Sequence, residues 1–197
     1  MATHTKCLRA VGALLLAIVF VTAFPNRAHA DDLQRIRTES PVLSTVMATA
    51  FDRSATFRLL VERIERSDVI VYLTCERFGT STLSGRTALT AAQPGVRYLR
   101  VQIRCQQSDL ALVAIVAHEL QHVAEIASTA SVVDHRSFAR LFSEIGFATC
   151  RSPWSEQFET MAALRTGERV REEFLHRADI GAQASDHGAR RVLARAD

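Results

Sequence analysis

The chain has 197 residues, of which 48% are hydrophobic and 23% charged, with 8 glycines and 4 prolines. This composition excludes a collagen-like or broadly disordered chain, and 4 cysteines are too few for a disulfide-dense scaffold. The net charge of +3 is carried by Lys6, Arg9 and Arg27, so residues 31–197 are neutral. The charge therefore gives no support for a nucleic acid or an anionic membrane as partner.

The first thirty residues have the order of a secretory signal peptide. Lys6 and Arg9 precede an apolar run over 11–24, and Ala28 and Ala30 frame an A-x-A site that predicts cleavage after Ala30. A helix over this run would span about 21 Å, short of the ~30 Å hydrocarbon core, which disfavours a membrane anchor. After residue 30 we expect no apolar segment that is long enough to span a membrane. We therefore expect an exported protein, periplasmic or secreted, with no stable membrane anchor after cleavage.

Export changes the interpretation of the cysteines, because an oxidising compartment favours disulfides. Cys7 is lost with the signal, which leaves Cys75, Cys105 and Cys150. We expect one disulfide and one buried thiol. Cys75–Cys105 is the favoured pair because both residues end apolar runs that could pair as strands. No two cysteines have C-x-x-C spacing, so a cysteine metal site is not expected.

The first half of the mature chain alternates helical and extended patterns. Residues 31–41 read as a loose polar lead-in, and a helical period over 42–66 follows, with Ser54 as the N-cap of a second helix. The β-branched segment 69–75 predicts a strand. The next predicted elements are a hairpin or irregular strand at 80–89, a turn at 94–95 and an alternating strand at 98–103.

The second half is mainly helical. Ser108 or Asp109 can cap a helix over 110–126, whose first half is apolar on all sides and is therefore expected to be buried and central. A short helix over 137–145 and a long amphipathic helix over 155–177 follow. These elements predict an α+β domain with a small antiparallel sheet packed on the central helix and the C-terminal helix.

The central helix carries an H-E-x-x-H motif, His118-Glu119-Leu120-Gln121-His122. Histidines four residues apart differ by about 40° around a helix and by one turn along it, so both imidazoles can reach one metal ion. Glu119 lies beside them, where it can polarise a water in an open coordination position. The motif predicts a zinc site with Glu119 as catalytic base, and the alternative is two core histidines satisfied by hydrogen bonds.

Catalytic zinc usually has three protein ligands, so one more must be found. Glu159 is favoured, because it lies in the predicted C-terminal helix and precedes small residues that allow close helix approach. Glu125 lies on the face of the motif but about 10 Å along the axis from its first histidine, and it is better placed as a hydrogen-bond partner of His122. Asp134 and His135, in the loop after the helix, are further candidates.

The motif with its downstream glutamate resembles the zincin superfamily of metallopeptidases, and the gluzincin branch in particular. More narrowly, four segments resemble a family of small exported bacterial proteins of unsettled function: 98–101, 117–125 with its HELQH core, 145–146 and 158–163. The resemblance covers residues 54–175. It implies a zincin-like fold with His118 and His122 as ligands and Glu119 as base. It supplies no counterpart of the residue that stabilises the oxyanion, for which His135 and Tyr98 are candidates.

The predicted organisation is therefore a signal peptide at 1–30, a lead-in and helix at 31–53, a zincin-like metal-binding domain at 54–177 and a flexible tail at 178–197. The preferred function is a zinc-dependent peptidase acting on a peptide or protein substrate, which the strand at 98–103 would align by main-chain hydrogen bonds.

Two other functions stay open. One is a non-catalytic exported protein whose structural or vestigial zinc is closed by a fourth ligand, with Glu125 or Asp134 joining Glu159. The other is a metal-free helical interaction module. The peptidase is preferred because a structural zinc site has no need of a carboxylate at position 119, where the sequence has Glu119.

Overall fold

The structure, a computed structural model, describes residues 34–79, 83–152 and 155–176. The predicted signal peptide and the predicted tail at 178–197 lie outside the described residues. The elements are, in chain order, β1 (Ile36–Thr38), α1 (Pro41–Arg53), α2 (Ala55–Glu65), β2 (Val69–Cys75), β3 (Gly85–Gln93), β4 (Val96–Ile103), α3 (Asp109–Ala127), α4 (His135–Ile145), β5 (Phe147–Ser152), β6 (Ser155–Glu159) and α5 (161–176). They form an α+β domain, as the sequence predicts.

Serine caps open the first two helices. The hydroxyl of Ser40 accepts a hydrogen bond from the backbone N–H of Leu43 in α1, and the hydroxyl of Ser54 accepts one from Phe57 in α2. Serine at these positions satisfies N–H groups that the start of a helix leaves unpaired. The structure thus confirms that the helical pattern over 42–66 is two helices, which meet at Ser54.

The polar segment 31–41 contains a strand where its composition predicts only a loose lead-in. The carboxylate of Glu65, at the end of α2, accepts the backbone N–H groups of Gln34, Arg35 and Ile36. Strand β1 then pairs in parallel with β2. This ordering depends on a contact between residues about thirty positions apart, so it has no signature in the local sequence.

The main sheet is mostly parallel, which corrects the expectation of a small antiparallel sheet. Its strand order is β1-β2-β4-β3, and only the edge strand β3 runs antiparallel to its neighbour β4. The turn at Pro94 and Gly95 joins these two strands, and Gly95 adopts a φ of +80° that favours glycine. Side-chain alternation predicts a strand but carries no information on its direction. The crossover through α1 and α2 makes β1 and β2 parallel, and the return of the chain through the edge strand β3 makes β4 parallel to β2.

Helix α3 is the centre of the core, as its apolar first half predicts. By length and composition alone it could cross a membrane, contrary to the expectation that no segment after the signal could do so, and 56% of its apolar window is buried inside the fold. In the structure this helix packs against the sheet and against α1 and α2. The most deeply buried apolar side chains of this core include Leu43, Phe57, Ile64, Val71, Leu99, Leu112, Leu120 and Ile126.

The disulfide Cys75–Cys105 forms as predicted, with the two Cα atoms 5.4 Å apart. Cys75 ends β2 and lies opposite Ile103, the last residue of β4, because the two strands are parallel neighbours. The disulfide therefore ties the end of the sheet to the loop that leads into α3. The side chain of Cys150 lies outside the described residues.

Glu159 is the last residue of a strand, and not part of a helix over 155–177. Strands β5 and β6 pair as an antiparallel hairpin, and α5 begins only after Thr160. The hydroxyl of Thr160 caps this helix by accepting a hydrogen bond from the N–H of Ala163 at 3.1 Å. Over so few residues an alternating strand and the first turn of an amphipathic helix have similar patterns. This similarity explains why the sequence predicts a helix from residue 155, where the structure has β6.

Candidate metal centre

Helix α3 presents His118 and His122 on one face. Their rings lie edge to face with centroids 5.0 Å apart, one helical turn from each other. The side chain of His122 is 8% exposed and that of His118 is 20% exposed, so the pair lies at the border between the core and an open cleft.

Glu159 reaches the two histidines from the end of β6. Its Oε2 lies 3.1 Å from Nε2 of His118, and its Oε1 lies 3.3 Å from Nε2 of His122. The ligand atoms of the three residues all lie within 4.8 Å of one another, so the group could hold a metal ion. The two contacts use different oxygens of one carboxylate, which therefore faces both imidazoles at once. Two imidazoles and one carboxylate are donors that suit a divalent transition-metal ion.

The other candidate ligands have different partners. Glu125 accepts hydrogen bonds from Nδ1 of His122 and from the hydroxyl of Thr160, on the side of His122 away from Glu159. Asp134 is the N-cap of α4 and accepts a hydrogen bond from the N–H of Ser137. The structure thus brings Glu159 to the histidines and assigns these two carboxylates to other contacts.

The two candidates for oxyanion stabilisation are not at the site. His135 is the first residue of α4, and Tyr98 lies in β4, lining a hollow on the outer side of the sheet with Tyr72 and Arg100. Neither lines the cavities at the histidine pair.

The charges of the cluster are tightly coupled. Burial is the largest influence on His122 and lowers its pKa, but the hydrogen bonds with Glu125 and Glu159 outweigh it and raise the pKa to about 9. For Glu159, burial raises the pKa, but hydrogen bonds with His118 and His122 lower it to about 2. The anionic carboxylate of Glu159 thus faces the Nε2 atoms of both histidines, the atoms through which these imidazoles could bind a metal ion.

Glu119 lies beside the cluster and faces strand β3. Its side chain is buried, and this burial raises its pKa against the opposing effects of His122 and Thr87. The hydroxyl of Thr87 donates a hydrogen bond to Oε2 of Glu119 over 2.7 Å. Gly85 lies so close that a Cβ there would be 2.7 Å from Cγ of Glu119, so only glycine leaves room for the carboxylate in this position.

The cluster lies in a cleft between β3 and the β5–β6 hairpin. On the side of His122, a cavity of about 220 Å³ has aromatic walls formed by Phe138, Phe142 and Phe158. On the side of His118, the neighbouring hollow is lined by α3 and α5 residues, among them Ala114 and Leu164. Both include His118, Glu119 and Glu159, so these residues lie between the two halves of the cleft.

Several residues of this site have no sequence signal. Thr87 and Gly85 belong to a strand that the sequence predicts only as irregular, and Thr160 was assigned to a helix interior. Their roles depend on packing between segments about 32 and 35 residues apart. The aromatic residues of α4 are visible as an apolar face, but this pattern is equally typical of ordinary core packing.

Comparison with protein-family models, with curated proteins and with solved structures gives no match to this chain. The chemistry of the site is therefore inferred from its own residues and their geometry.

Proposed function

We propose that this protein is an exported zinc-dependent metallopeptidase of zincin-like type, which hydrolyses peptide bonds. The observation that carries the proposal is the convergence of His118, His122 and Glu159 beside the buried carboxylate of Glu119, at an open cleft. Two imidazoles and one carboxylate are a ligand set of catalytic zinc, which keeps its fourth position for water or substrate.

Zinc held by these residues would supply a water of lowered pKa and polarise the substrate carbonyl. Glu119 is the group that takes a proton from the attacking water and later delivers it to the leaving amine. Its burial raises its pKa, which strengthens it as a base. Thr87 holds one oxygen of the carboxylate, so the orientation of the base is fixed before substrate binds.

The proposed substrate is an extended peptide or protein segment. Strand β3 pairs with β4 on one side and is an edge of the described sheet, and its residues Gly85 and Thr87 line the cleft. Its other edge offers backbone N–H and C=O groups to a substrate strand. The sequence assigned this task to residues 98–103, but β4 lies between β2 and β3, so both of its edges are paired.

The non-catalytic zinc protein receives less support from the geometry. A closed structural site needs four protein ligands, and the described residues bring three ligand side chains together. Glu125, one of the residues considered for the fourth position, directs its carboxylate to His122 Nδ1 and Thr160. Asp134 caps a helix instead.

Elemental analysis of the mature protein, beginning at Asp31, tests the metal site. We expect one zinc per chain, lost in His118→Ala and Glu159→Ala. The exposed helical carboxylate of Glu144 offers a matched control, Glu144→Ala, which should keep the metal. A protein that takes up no zinc, and whose melting temperature does not rise when zinc is added, would instead favour the metal-free interaction module.

A peptide-library digest followed by mass spectrometry tests the chemistry. The Glu119→Gln variant keeps the shape of the side chain but cannot accept the proton, so it should retain zinc and lose turnover. Full activity in this variant would contradict the mechanism. Zinc uptake without cleavage of any peptide by the wild type would favour the non-catalytic zinc protein.

A further inference from the structure

We infer that Glu125 is a positioning residue that holds two of the three metal-binding side chains in place, His122 directly and Glu159 through Thr160. The inference rests on the proposed zinc site. The carboxylate of Glu125 is largely buried, at 9% exposure, and each of its oxygens has its own partner. Oε2 lies 3.0 Å from Nδ1 of His122, and Oε1 accepts a hydrogen bond from the hydroxyl of Thr160 over 2.8 Å.

The contact with His122 decides which nitrogen of the ring faces the site. An ionised carboxylate can only accept hydrogen bonds, so the proton of this contact is on Nδ1. Nε2 then faces Glu159 and is the nitrogen available to a metal ion. A carboxylate behind a metal-binding imidazole also holds the ring in one orientation and increases its basicity.

The contact with Thr160 fixes the place where β6 ends and α5 begins. Thr160 follows Glu159 directly, and its backbone N–H donates to Oε1 of Glu159 over 2.8 Å. Its hydroxyl donates to Glu125 while accepting from the N–H of Ala163, so it is held at both ends. The hairpin that carries Glu159 is thereby attached to α3, the helix that carries both histidines.

Two acceptors on one buried carboxylate make this arrangement sensitive to a conservative change. In Glu125→Gln one oxygen becomes an amide NH₂, which donates and cannot accept from either partner. The amide oxygen can still accept from His122, but the contact with Thr160 must then be reversed, and the negative charge behind the imidazole is lost in either case. Thr160→Val removes the contact with Glu125 together with the cap on Ala163, whereas Thr160→Ser keeps the hydroxyl and both contacts.

The test is the zinc dissociation constant of the mature protein, measured by competition with a chromogenic chelator. We expect Glu125→Gln and Thr160→Val each to bind zinc about 10–100-fold more weakly, because loss of such a partner typically has this effect. Thr160→Ser and the exposed control Glu144→Gln should bind as the wild type does. The double variant Glu125→Gln/Thr160→Val should lose less than the product of the single effects, since the two residues share one contact.

A second measurement separates positioning from ordinary stabilisation. In the zinc-loaded wild type, ¹⁵N NMR of the imidazoles should show His122 protonated at Nδ1. A purely structural role would lower the melting temperature of the chelator-treated variants and leave zinc affinity unchanged. Unchanged affinity in Glu125→Gln and Thr160→Val would overturn the inference while the zinc site stands. A wild type that binds no zinc would overturn the zinc site and this inference together, and zinc binding without peptide cleavage would overturn only the peptidase.

Discussion

Thr87 Oγ1 donates a hydrogen bond to Oε2 of Glu119 over 2.7 Å, and it thereby connects the edge strand β3 to the carboxylate proposed as general base. The same hydroxyl lies 3.3 Å from the backbone carbonyl oxygen of Glu119. The carboxylate is thus oriented by a strand that also borders the cleft, and the packing of α3 on β3 decides where the base lies. A base that is displaced by about 1 Å can lose about 100-fold in rate.

The first prediction concerns this hydrogen bond. Thr87→Val preserves the shape of the side chain but removes the donor, so we expect turnover of a peptide substrate to fall about 10–100-fold with zinc content unchanged. Thr87→Ser keeps the hydroxyl and should recover most of the rate. Equal rates for the valine variant and the wild type would show that Glu119 is held by other contacts.

The second prediction concerns the space beside Glu119. In Gly85→Ala the new Cβ would lie 2.7 Å from Cγ and 2.8 Å from Cδ of Glu119, which is closer than non-bonded carbon atoms approach each other. The carboxylate must move, so turnover should fall at least as far as in Thr87→Val, while His118 and His122 still bind zinc. Parallel measurement of kcat and of zinc content checks this, and loss of the metal as well would place the damage in the fold of α3.

The third prediction concerns the disulfide Cys75–Cys105. It closes a loop between residues 30 positions apart, and closing such a loop in the unfolded chain stabilises the folded state by about 3–4 kcal/mol. Replacement of both cysteines by alanine should lower the free energy of unfolding by a similar amount in urea denaturation. Reduction of the wild type should have the same effect, and an unchanged midpoint under reducing conditions would contradict the prediction.

The fourth prediction concerns the buried residue Arg97, which joins the sheet to the end of α3. Its guanidinium donates to both carboxylate oxygens of Asp68. It also donates to the carbonyl oxygens of Ile126, Ala127, Thr129 and Val132. The hydrogen bonds with Arg97 are the main reason why the pKa of Asp68 is lowered.

A carboxyl pKa that is lower in the folded state stabilises the fold above the unfolded value of about 3.9, and this stabilisation is lost as the pH falls through the folded value. Asp68→Asn should therefore melt about 2–4 °C below the wild type at pH 7, a modest effect because Asp68 is partly exposed. The difference should shrink below about pH 4. Glu62→Gln, which breaks the exposed pair with Arg66, is the control and should melt as the wild type does. A constant difference at every pH would exclude the ionised pair as its cause.

The fifth prediction concerns the aromatic walls of the cleft. Phe138 and Phe142 lie with ring centroids 4.8 Å apart, and Phe142 contacts the ring of His122 edge to face. An apolar substrate side chain is the chemical match for this cavity. Phe138→Ala should lower kcat/KM about tenfold for peptides with a large apolar residue next to the cleaved bond. Peptides with alanine at that position should be affected less. An equal loss of kcat/KM for both kinds of peptide would contradict the proposal that this cavity binds an apolar substrate side chain.

Short-range patterns were sufficient for much of this molecule. Helix α3, the helix break at Ser54 and the strand at 69–75 depend on neighbours within one or two turns, and the structure confirms them. Of the two caps that the sequence offers for α3, Ser108 and Asp109, the structure shows Ser108. The spacing of His118 and His122 belongs to the same class, because the geometry of one helix determines that both rings share a face. The disulfide followed from two strand ends that the pattern had already located.

Long-range packing decided the rest. The parallel direction of β1, β2 and β4 follows from how the chain crosses over, and alternation of side chains is the same in either direction. Glu159 is at the end of a strand because β6 pairs with β5. The next residue, Thr160, is the N-cap of α5. The contacts of Thr87 with Glu119 and of Thr160 with Glu125 join segments 32 and 35 residues apart. No pattern within one segment contains such contacts, since they exist only once the strand, the hairpin and the helix have packed together.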